Sequence, residues 1–346
     1  MKKIGIQGWF LAEPRTGIGQ HTLGLAKELA KKNRVTIVSP RHMRIPGLKI
    51  VDVKPPWWIF PTGLRKWYWE RIQAPSALNQ MDLDWEYYPY PTPLRKKPTH
   101  NKRAMTVHDL ILWKDKRYAG NFLKRKYHGL ARHSLLYMDK VFTVSQAVHD
   151  ELNIPNAIIL PNGIPPVPKH LKVFIDDNLL VYLGGYDIRK NVPELLDEFA
   201  NLKKDFPKMR LALIGSPRHR SRYYPDFQLP KGAYLTGAIP DKKVYELLAE
   251  AFAFVHFSDA EGFNIPLLQA MELGCPAIVR DIPVNREVSR GTALFLSDSQ
   301  KHPLIDKIKM LRNTAFSENI SRKEMAAAKS FSWKKSAQIF IKTLEK

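Results

Sequence analysis

The segment Glu261-Gly-Phe-Asn-Ile-Pro-Leu-Leu-Gln-Ala-Met-Glu-Leu-Gly-Cys-Pro276 contains an acidic loop, the start of a helix and its end. Asn264 is a suitable N-cap, and Pro266 falls in the first turn, where the missing backbone N–H leaves no helical hydrogen bond unmade. The glycine and the proline that close the segment terminate a helix. The pattern therefore predicts a helix that runs to about Leu273, directly after the acidic loop.

Backbone amides at the start of this helix would form a site for an anion. The N–H groups of Phe263, Asn264 and Ile265 precede the first helical hydrogen bond and lie at the positive end of the helix dipole. Amides in this position bind phosphate groups. The segment therefore predicts a site for a sugar diphosphate, with the carboxylate of Glu261 beside it.

The same segment resembles the signature of the family-four retaining glycosyltransferases of the GT-B fold. In that signature a glutamate, seven further residues and a second glutamate hold the nucleotide sugar, which implies that Glu261 contacts the donor sugar. The second position, whose carboxylate binds the ribose hydroxyls in the family, is Gln269 in this chain. An amide has one acceptor oxygen and no charge, so this departure bears on the affinity for the nucleotide.

Two motifs in the first half of the chain match the same family. Gly17-Ile-Gly19 opens an amphipathic helix, and its glycines allow the backbone to approach a phosphate or a sugar closely. A simple turn between a strand and a helix is an equally good interpretation of Gly17 and Gly19 alone. His108 ends a predicted strand and resembles the family's histidine, which implies contact with the donor sugar or the reacting centre. A lone histidine is more often structural, so this role depends on the resemblance.

The diphosphate site of the family also uses an arginine, four further residues and a lysine after the first strand of the second domain. Lys190 matches the lysine, whereas Gly185 occupies the arginine position. The neighbouring Arg189 could compensate, or the arginine could be dispensable. A solvated lysine at the start of a helix is the structural alternative for Lys190.

The resemblance covers residues 1 to about 345 and implies the remaining donor contacts and the fold. In relatives, the backbone that follows one strand of the second domain packs on the nucleobase, which assigns base contacts to Thr236 through Ile239. Strands that alternate with helices of about ten residues predict parallel sheets covered by helices. The predicted class is α/β, with the GT-B arrangement of two Rossmann-like domains that face each other across a cleft.

Chain length and proline positions predict the domain boundaries. At 346 residues the chain exceeds the size of a single hydrophobic core. Three prolines between residues 165 and 168 interrupt regular structure and mark a linker. We therefore expect an acceptor-binding Rossmann-like domain at residues 1–168, a nucleotide-sugar-binding one at 169–325, and a helix at 326–346 that packs back towards the first domain.

Positive charge is concentrated in the first half of the chain. Lysine and arginine number 55 against 33 aspartates and glutamates, and residues 1–170 hold 28 of the former and 12 of the latter. The first half therefore carries a net charge of 28 − 12 = +16, and the rest only 27 − 21 = +6. This imbalance favours an anionic acceptor or an anionic bilayer surface. A nucleic-acid-binding protein would also be basic, but no helix-turn-helix, zinc or single-strand-binding signature is present, so we expect no nucleic acid partner.

A cluster of aromatic and basic residues extends this inference. The segments at residues 55–60 and 65–69 mix large amphipathic rings with cations, which suits the headgroup region of a membrane. The same residues could instead line an acceptor groove or fill the core beneath a long loop. The residues considered for acceptor or membrane contact are Trp57, Trp58, Arg65, Lys66, Trp67 and Trp69.

Hydropathy and cysteine content predict the location in the cell. The sequence has no run of roughly 18 apolar residues, so we expect no segment that spans a bilayer. The N-terminal segment is too short for a signal peptide and has the pattern of a strand. The single Cys275 excludes an internal disulfide and fits a reducing compartment. We therefore expect a cytoplasmic protein, with peripheral association at the inner face of the membrane as an open alternative.

The sequence predicts neither a metal site nor a bound cofactor. No histidine or cysteine cluster has the spacing of zinc ligands. Asp82 and Asp84 are similar to the acidic pair that binds a metal in the other large glycosyltransferase fold, but they lie far in sequence from the donor motifs. We therefore expect a nucleoside diphosphate sugar as the donor substrate and no metal ion.

The resemblance implies transfer of a hexose to a hydroxyl group, with retention of anomeric configuration. Lys190 and the amides at 263–265 would stabilise charge on the departing diphosphate, Glu261 would hold the donor sugar and His108 would orient it. The expected acceptor is a glycan or a lipid-linked intermediate of cell-surface polysaccharide synthesis. A catalytically silent nucleotide-sugar-binding subunit or sensor is the alternative that the two departures from the family pattern favour.

Overall fold

The chain divides into two compact units. The computed structural model describes residues 1–13, 15–60, 62–96, 100–118, 120–168, 171, 174–215, 226–297 and 302–345. The first unit is formed by Met1–Gly163 with Ser332–Lys346, and the second by Ile164–Phe331. The sequence-based boundaries at 168 and 325 thus differ from these divisions by 168 − 163 = 5 and 331 − 325 = 6 residues.

A parallel sheet of seven strands, counted over the described residues, forms the centre of the first unit. Its strands are β1 (Lys3–Gln7), β2 (Arg34–Ser39), β3 (Lys49–Asp52), β4 (Trp85–Tyr88), β5 (Lys102–Val107), β6 (Lys140–Thr143) and β7 (Ile158–Ile159). The order across the sheet is β3-β2-β1-β4-β5-β6-β7, so the direction of winding reverses between β1 and β4. In doubly wound sheets ligands bind outside the carboxyl ends of the strands at such a reversal.

Helices connect these strands. They are α1 (Gly17–Ala30), α2 (Thr62–Tyr68), α3 (Ala74–Asn79), α4 (Ile111–Lys114), α5 (Phe122–His133) and α6 (Gln146–Leu152). Helices α1, α5 and α6 begin at side chains that cap them. Thr16 accepts a hydrogen bond from the Gly19 amide, and Asn121 accepts one from the Lys124 amide. A π-helical segment, Trp69–Gln73, joins α2 to α3.

The second unit repeats this plan with six strands among its described residues. The strands are β8 (Asp176–Leu183), β9 (Arg210–Ile214), β10 (Ala233–Gly237), β11 (Ala251–His256), β12 (Ala277–Arg280) and β13 (Leu294–Leu296), in the order β10-β9-β8-β11-β12-β13. All neighbouring pairs are parallel. The winding reverses between β8 and β11, and the loops after these two strands carry Lys190 and Glu261.

The remaining helices cover the second sheet and return to the first unit. Those of the second unit are α7 (Val192–Asp205), α8 (Asp241–Glu250), α9 (Ile265–Glu272), α10 (Pro283–Val288), α11 (Pro303–Leu311) and α12 (Thr314–Ala328). The last helix, α13 (Trp333–Leu344), belongs to the first unit.

Helix α13 completes the core of the first unit by packing on α1. Its Trp333 and Phe340 lie in one buried cluster with Leu25 of α1 and Ile4 of β1. Gly24 permits this packing, because a Cβ atom at that position would lie 2.2 Å from the indole ring of Trp333. The close approach of α1 and α13 therefore requires glycine at this position.

We expect Gly24→Ala to destabilise the first unit by about 1–3 kcal/mol, because the added methyl group must displace the indole ring. Gly129→Ala in α5 is the matched control, since no atom of the described part of the chain lies within 4 Å of a Cβ there. Alanine is the better helix former, so the control should gain up to about 1 kcal/mol. Urea unfolding of both variants measures the difference, and equal effects would contradict this account of the packing.

Candidate functional site

Glu261 lies in the loop between β11 and α9 and forms ion pairs with two cations. Lys190 Nζ is 2.5 Å from Oε1, and Arg189 Nη1 is 2.9 Å from Oε2. The side chains of Glu261 and Lys190 are each only 8% exposed. Buried charges are tolerated when they are paired and hydrogen-bonded, so the three side chains depend on one another.

Electrostatics within this cluster keep the carboxyl group ionised. Burial by itself raises the pKa of Glu261, but the charges of Lys190 and Arg189, with a contribution from His256, outweigh it and hold the pKa far below its usual range. Burial and the charge of Arg189 lower the pKa of Lys190, while Glu261 acts in the opposite direction. At neutral pH Glu261 therefore accepts hydrogen bonds and donates none.

Arg189 fastens the Glu261 loop to the turn that follows β8. Its Nη1 also donates to the carbonyl of Ala260 at 2.7 Å, and its Nε lies 3.1 Å from Asp187 Oδ1. The backbone carbonyl of Arg189 accepts from the amide of Asp259 at 2.8 Å. Arg189 thus positions the loop that carries Glu261, and its compensation for a missing arginine stays a prediction.

The position of Gly185 is sterically open. Among the described residues, a Cβ atom there would meet only Asp187 Oδ2 within 4 Å, at an ordinary contact distance of 3.5 Å. The carbonyl of Gly185 accepts a hydrogen bond from the hydroxyl of Tyr182. The packing around this turn therefore does not by itself require glycine.

Helix α9 starts as the sequence predicts. Asn264 adopts a left-handed conformation with φ 62°, and its Oδ1 accepts from the amide of Leu267. The first backbone bond of the helix joins the Leu268 amide to the Asn264 carbonyl. The amides of Phe263 and Ile265 therefore lie ahead of the bonded helix, beside the Glu261 loop.

The predicted nucleotide contacts differ in their surroundings. Gln269 is buried in α9, and its Nε2 donates to the hydroxyl of Tyr245 in α8 at 3.3 Å. Thr236 lies on the edge strand β10, and its hydroxyl donates to the carbonyl of Gly237 at 2.9 Å. Ile239 follows this strand and is partly exposed. Ribose and base contacts for these residues stay predictions.

His256 is a site residue that the sequence analysis missed. It ends β11, is fully buried, and stacks between Tyr182 and Phe254, with ring centroids 5.6 and 5.7 Å away. Its Nε2 has no hydrogen-bond partner among the described residues and lies 3.7 Å from Glu261 Oε1. Burial, assisted by the charge of Lys190, lowers the pKa of His256 to about 3. A polar residue at the end of an otherwise apolar strand was the available signal.

His108 in the first unit is a neutral imidazole with a fixed tautomer. It follows β5, and its Nε2 donates to the carbonyl of Pro89 at 2.7 Å. Burial, and then the proximity of His21, lower the pKa of His108 to about 3. Because Nε2 carries the proton, Nδ1 is the acceptor nitrogen of the ring, and contact of His108 with the donor sugar stays a prediction.

His21 supports His108 and was also missed in the sequence. The two imidazole rings meet edge to face with centroids 4.7 Å apart. His21 Nδ1 donates to Asn162 Oδ1 at 2.7 Å, and its Nε2 accepts from the Tyr87 hydroxyl at 2.7 Å. Burial lowers the pKa of His21 to about 4. Gly17 and Gly19 open the helix that carries His21, and Gly19 is buried there.

The aromatic and basic segment of the first unit separates into exposed and buried parts. Trp57 and Trp58 are 75% and 65% exposed. Arg65 is tied to this loop, because its Nη2 donates to the Trp57 carbonyl at 2.8 Å and its guanidinium lies 4.9 Å from the centre of the Phe60 ring. These four residues form a surface that we call the tryptophan patch.

Other members of the segment are buried or partly buried. Trp69 is fully buried in the π-helical segment and donates to the Val53 carbonyl, so the expectation of surface contact is wrong for this residue. Lys66 is partly buried, 3.5 Å from Glu70 Oε1, and its Nζ lies 4.5 Å from the centre of the Phe10 ring. Trp67 is partly exposed, with the guanidinium of Arg71 over its ring at 5.8 Å. Helix α2 separates Trp57 from Trp69, and Trp69 lies in the core.

Neither a metal site nor a membrane-spanning helix is present among the described residues. Within that part of the chain, no group of three or more histidine, cysteine, aspartate or glutamate side chains has an arrangement that could hold a metal ion. Among the helices of the described residues, none has the length and apolar character needed to cross a bilayer.

Two protein family models match the chain in succession. The model described as Glycosyltransferase Family 4 matches residues 15–166. The model described as Glycosyl transferases group 1 matches residues 167–327.

Characterised relatives match the chain over part of its length. The serotype-specific mannosyltransferase WbdA of Escherichia coli is 26% identical over 171 residues, which cover 47% of this chain and 20% of WbdA. The O-antigen chain mannosyltransferase B of Escherichia coli is 30% identical over 162 residues, which cover 44% of this chain and 42% of that protein. The match spans less than half the length of either relative.

Solved structures match the whole chain. Sucrose-phosphate synthase from Thermosynechococcus elongatus has a TM-score of 0.77 at 15% identity, over 100% of this chain and 98% of that one. WaaG, a glycosyltransferase involved in lipopolysaccharide biosynthesis, has a TM-score of 0.73 at 15% identity, over 99% of each chain. HepE from Anabaena, in complex with UDP and glucose, has a TM-score of 0.73 at 14% identity, over 100% of each chain. At these identities the likeness establishes the fold.

The family matches and the two parallel sheets lead to the same assignment. Both sheets reverse their winding as Rossmann-like sheets do, and the matched structures confirm the α/β class that the sequence predicts. The successive family matches account for residues 15–327. The chain belongs to the family-four glycosyltransferases of the GT-B fold.

Proposed function

We propose that the chain transfers a hexose from a nucleoside diphosphate sugar to a hydroxyl group of a glycan or lipid-linked acceptor in cell-surface polysaccharide synthesis. The reaction retains the anomeric configuration and needs no metal ion. The observation that carries the proposal is the buried cluster of Glu261, Lys190 and Arg189 at the carboxyl ends of β8 and β11, directly before the start of α9.

This cluster fits the two parts of a nucleotide sugar. Lys190 supplies positive charge for the diphosphate, and the amides at residues 263–265 supply N–H donors at the helix start. Charge develops on the departing diphosphate, so donors that are held in place before the reaction stabilise the transition state. Glu261 is ionised and accepts hydrogen bonds from hydroxyl groups of the donor sugar.

The comparisons support a hexose donor. WbdA and the O-antigen chain mannosyltransferase B are both named as mannosyltransferases, and the HepE structure holds UDP and glucose. The second of these relatives is named for an O-antigen chain. A hexose linked to a nucleoside diphosphate and a growing glycan as acceptor are therefore the proposed substrates.

The tryptophan patch supports contact of the first unit with an anionic membrane surface. Exposed indole rings suit the boundary between headgroups and acyl chains, and neighbouring basic residues are attracted to anionic lipids. The charge of +16 on residues 1–170, counted above as 28 − 12, has the matching sign. Peripheral contact of this kind would bring a lipid-linked acceptor close to the first unit.

We expect Glu261→Gln to lower turnover by roughly a hundredfold or more, because a neutral amide replaces the carboxylate that holds the donor sugar. Turnover is measured as nucleoside diphosphate released from a panel that includes UDP-glucose and GDP-mannose. Glu272→Gln, at the end of α9 and outside the cluster, is the matched control and should retain activity. Near-normal turnover of a folded Glu261→Gln protein would reject the assigned role, and donor binding without any turnover in wild type would favour the silent sensor.

Protonation of His108 should not shape the pH dependence of turnover near neutral pH. Its pKa of about 3 lies below the unfolded value of about 6.5, so the imidazole stays neutral until the pH falls to about 4. His108→Gln should therefore lower turnover equally at all values between about pH 5 and about pH 8. A limb with a pKa of about 6 to 7 that is present in wild type and absent from the variant would contradict this.

The protein should co-sediment with vesicles that contain phosphatidylglycerol at low ionic strength and be released as salt rises, because salt screens the attraction to anionic lipids. Replacement of Trp57 and Trp58 by serine should weaken the association and leave nucleotide binding intact. In the matched control, serine replaces Phe174 and Ile175 of the second unit, which are 86% and 66% exposed. If both double variants lose binding to the same extent, the tryptophan patch is not the membrane contact.

A further inference from the structure

The buried imidazole of His256 points an unused hydrogen-bond donor at Glu261. Its Nε2 is enclosed, has no hydrogen-bond partner among the described residues, and lies 3.7 Å from Glu261 Oε1. Buried polar atoms in folded proteins are rarely left unpaired, so this exception calls for an explanation. The gap of 3.7 Å exceeds an N–H···O hydrogen bond by roughly 0.8 Å.

The tautomer of His256 is set by the residue that caps α9. Asn264 Oδ1 faces the Leu267 amide, which fixes the orientation of the side-chain amide. Asn264 Nδ2 therefore faces Asn285 Oδ1 at 2.8 Å and His256 Nδ1 at 3.4 Å. Because Nδ1 faces a donor, it is the unprotonated nitrogen, and the proton of the neutral ring is on Nε2. The N–H group thus points towards Glu261.

Glu261 and the proposed diphosphate would compete for the ammonium group of Lys190. Lys190 Nζ is held 2.5 Å from Glu261 Oε1, on the oxygen that also faces His256. A diphosphate bound at the start of α9 would attract the ammonium group away from this carboxylate. Arg189 remains tied to Oε2 and to the Ala260 carbonyl, so only Oε1 loses its partner. A buried carboxylate oxygen without a partner is costly.

We infer that His256 is a positioning residue which takes over Oε1 of Glu261 when Lys190 turns to the diphosphate of the donor. The Nε2–H group then holds the carboxylate in the orientation that accepts the hydroxyl groups of the donor sugar. The inference rests on the proposed donor site and adds a residue to it. A neutral donor suits this exchange, because a third cation beside Lys190 and Arg189 would repel both; the pKa of about 3 keeps His256 neutral.

Binding of UDP, GDP and dTDP, and of the corresponding monophosphates, to wild type and variants tests the inference by calorimetry. His256→Phe keeps an aromatic ring between Tyr182 and Phe254 but removes the N–H group. This variant should weaken binding of the preferred diphosphate by about tenfold, a factor that corresponds to about 1.4 kcal/mol. Binding of the corresponding monophosphate should weaken by less than about fivefold. His256→Gln offers an amide N–H and should restore part of the loss.

His302→Phe is the matched control. His302 Nδ1 lies 3.1 Å from Glu198 Oε1, so it is a second histidine–glutamate contact of the same unit, outside the Glu261 loop. This variant should bind the diphosphate as wild type does. Equal losses for diphosphate and monophosphate in His256→Phe, or no loss at all, would overturn the inference.

A spectroscopic test uses the wild-type protein, so its result does not depend on whether a variant folds. The Nε2–H proton of His256, observed by NMR with 15N-labelled histidine, should move downfield when the preferred diphosphate is added, because it gains a carboxylate acceptor. An unchanged resonance in the diphosphate complex would overturn the inference. If no nucleoside diphosphate binds the wild type, the proposed function itself fails, and this outcome is distinct from normal binding with an unmoved resonance.

Discussion

The buried pairing of Glu261 with Lys190 and Arg189 is the interaction on which the second unit's site depends. It joins the loops that follow β8 and β11, two strands that are neighbours in the sheet although the residues are more than seventy positions apart. A carboxylate in this position would be neutral or unfavourable without the two cations. The cluster therefore fixes both loops and keeps an ionised acceptor at the start of α9.

Both units contain buried histidines that are neutral. His21 and His108 in the first unit, and His256 in the second, have pKa values lowered by burial to about 4, 3 and 3. Each has a neighbour that decides which nitrogen carries the proton: Asn162 for His21, the Pro89 carbonyl for His108 and Asn264 for His256. Burial thus converts groups that usually titrate near neutral pH into hydrogen-bonding groups of fixed direction.

The basic and aromatic segment of the first unit has an exposed part and a buried part of similar composition. The exposed rings of Trp57 and Trp58 are held by the contacts of Arg65 with the loop backbone. Trp69 instead fills the core and donates to a backbone carbonyl. Composition alone is the same for both parts, and only the direction of each side chain separates a surface from a core.

The sequence by itself determined the local elements and the family: the cap at Asn264, the helix behind it, the alternation of strands and helices, and the α/β class all follow from patterns within a few turns of chain. Only the tertiary structure decided that Lys190 and Arg189 both meet Glu261, that His256 points at the same carboxylate, and that Trp69 is inside. These contacts depend on strand order and on burial, because parallel strands bring together residues far apart in the chain. No short segment encodes which strand becomes the neighbour of another, and so local periodicity predicted the elements but not the partners of their side chains.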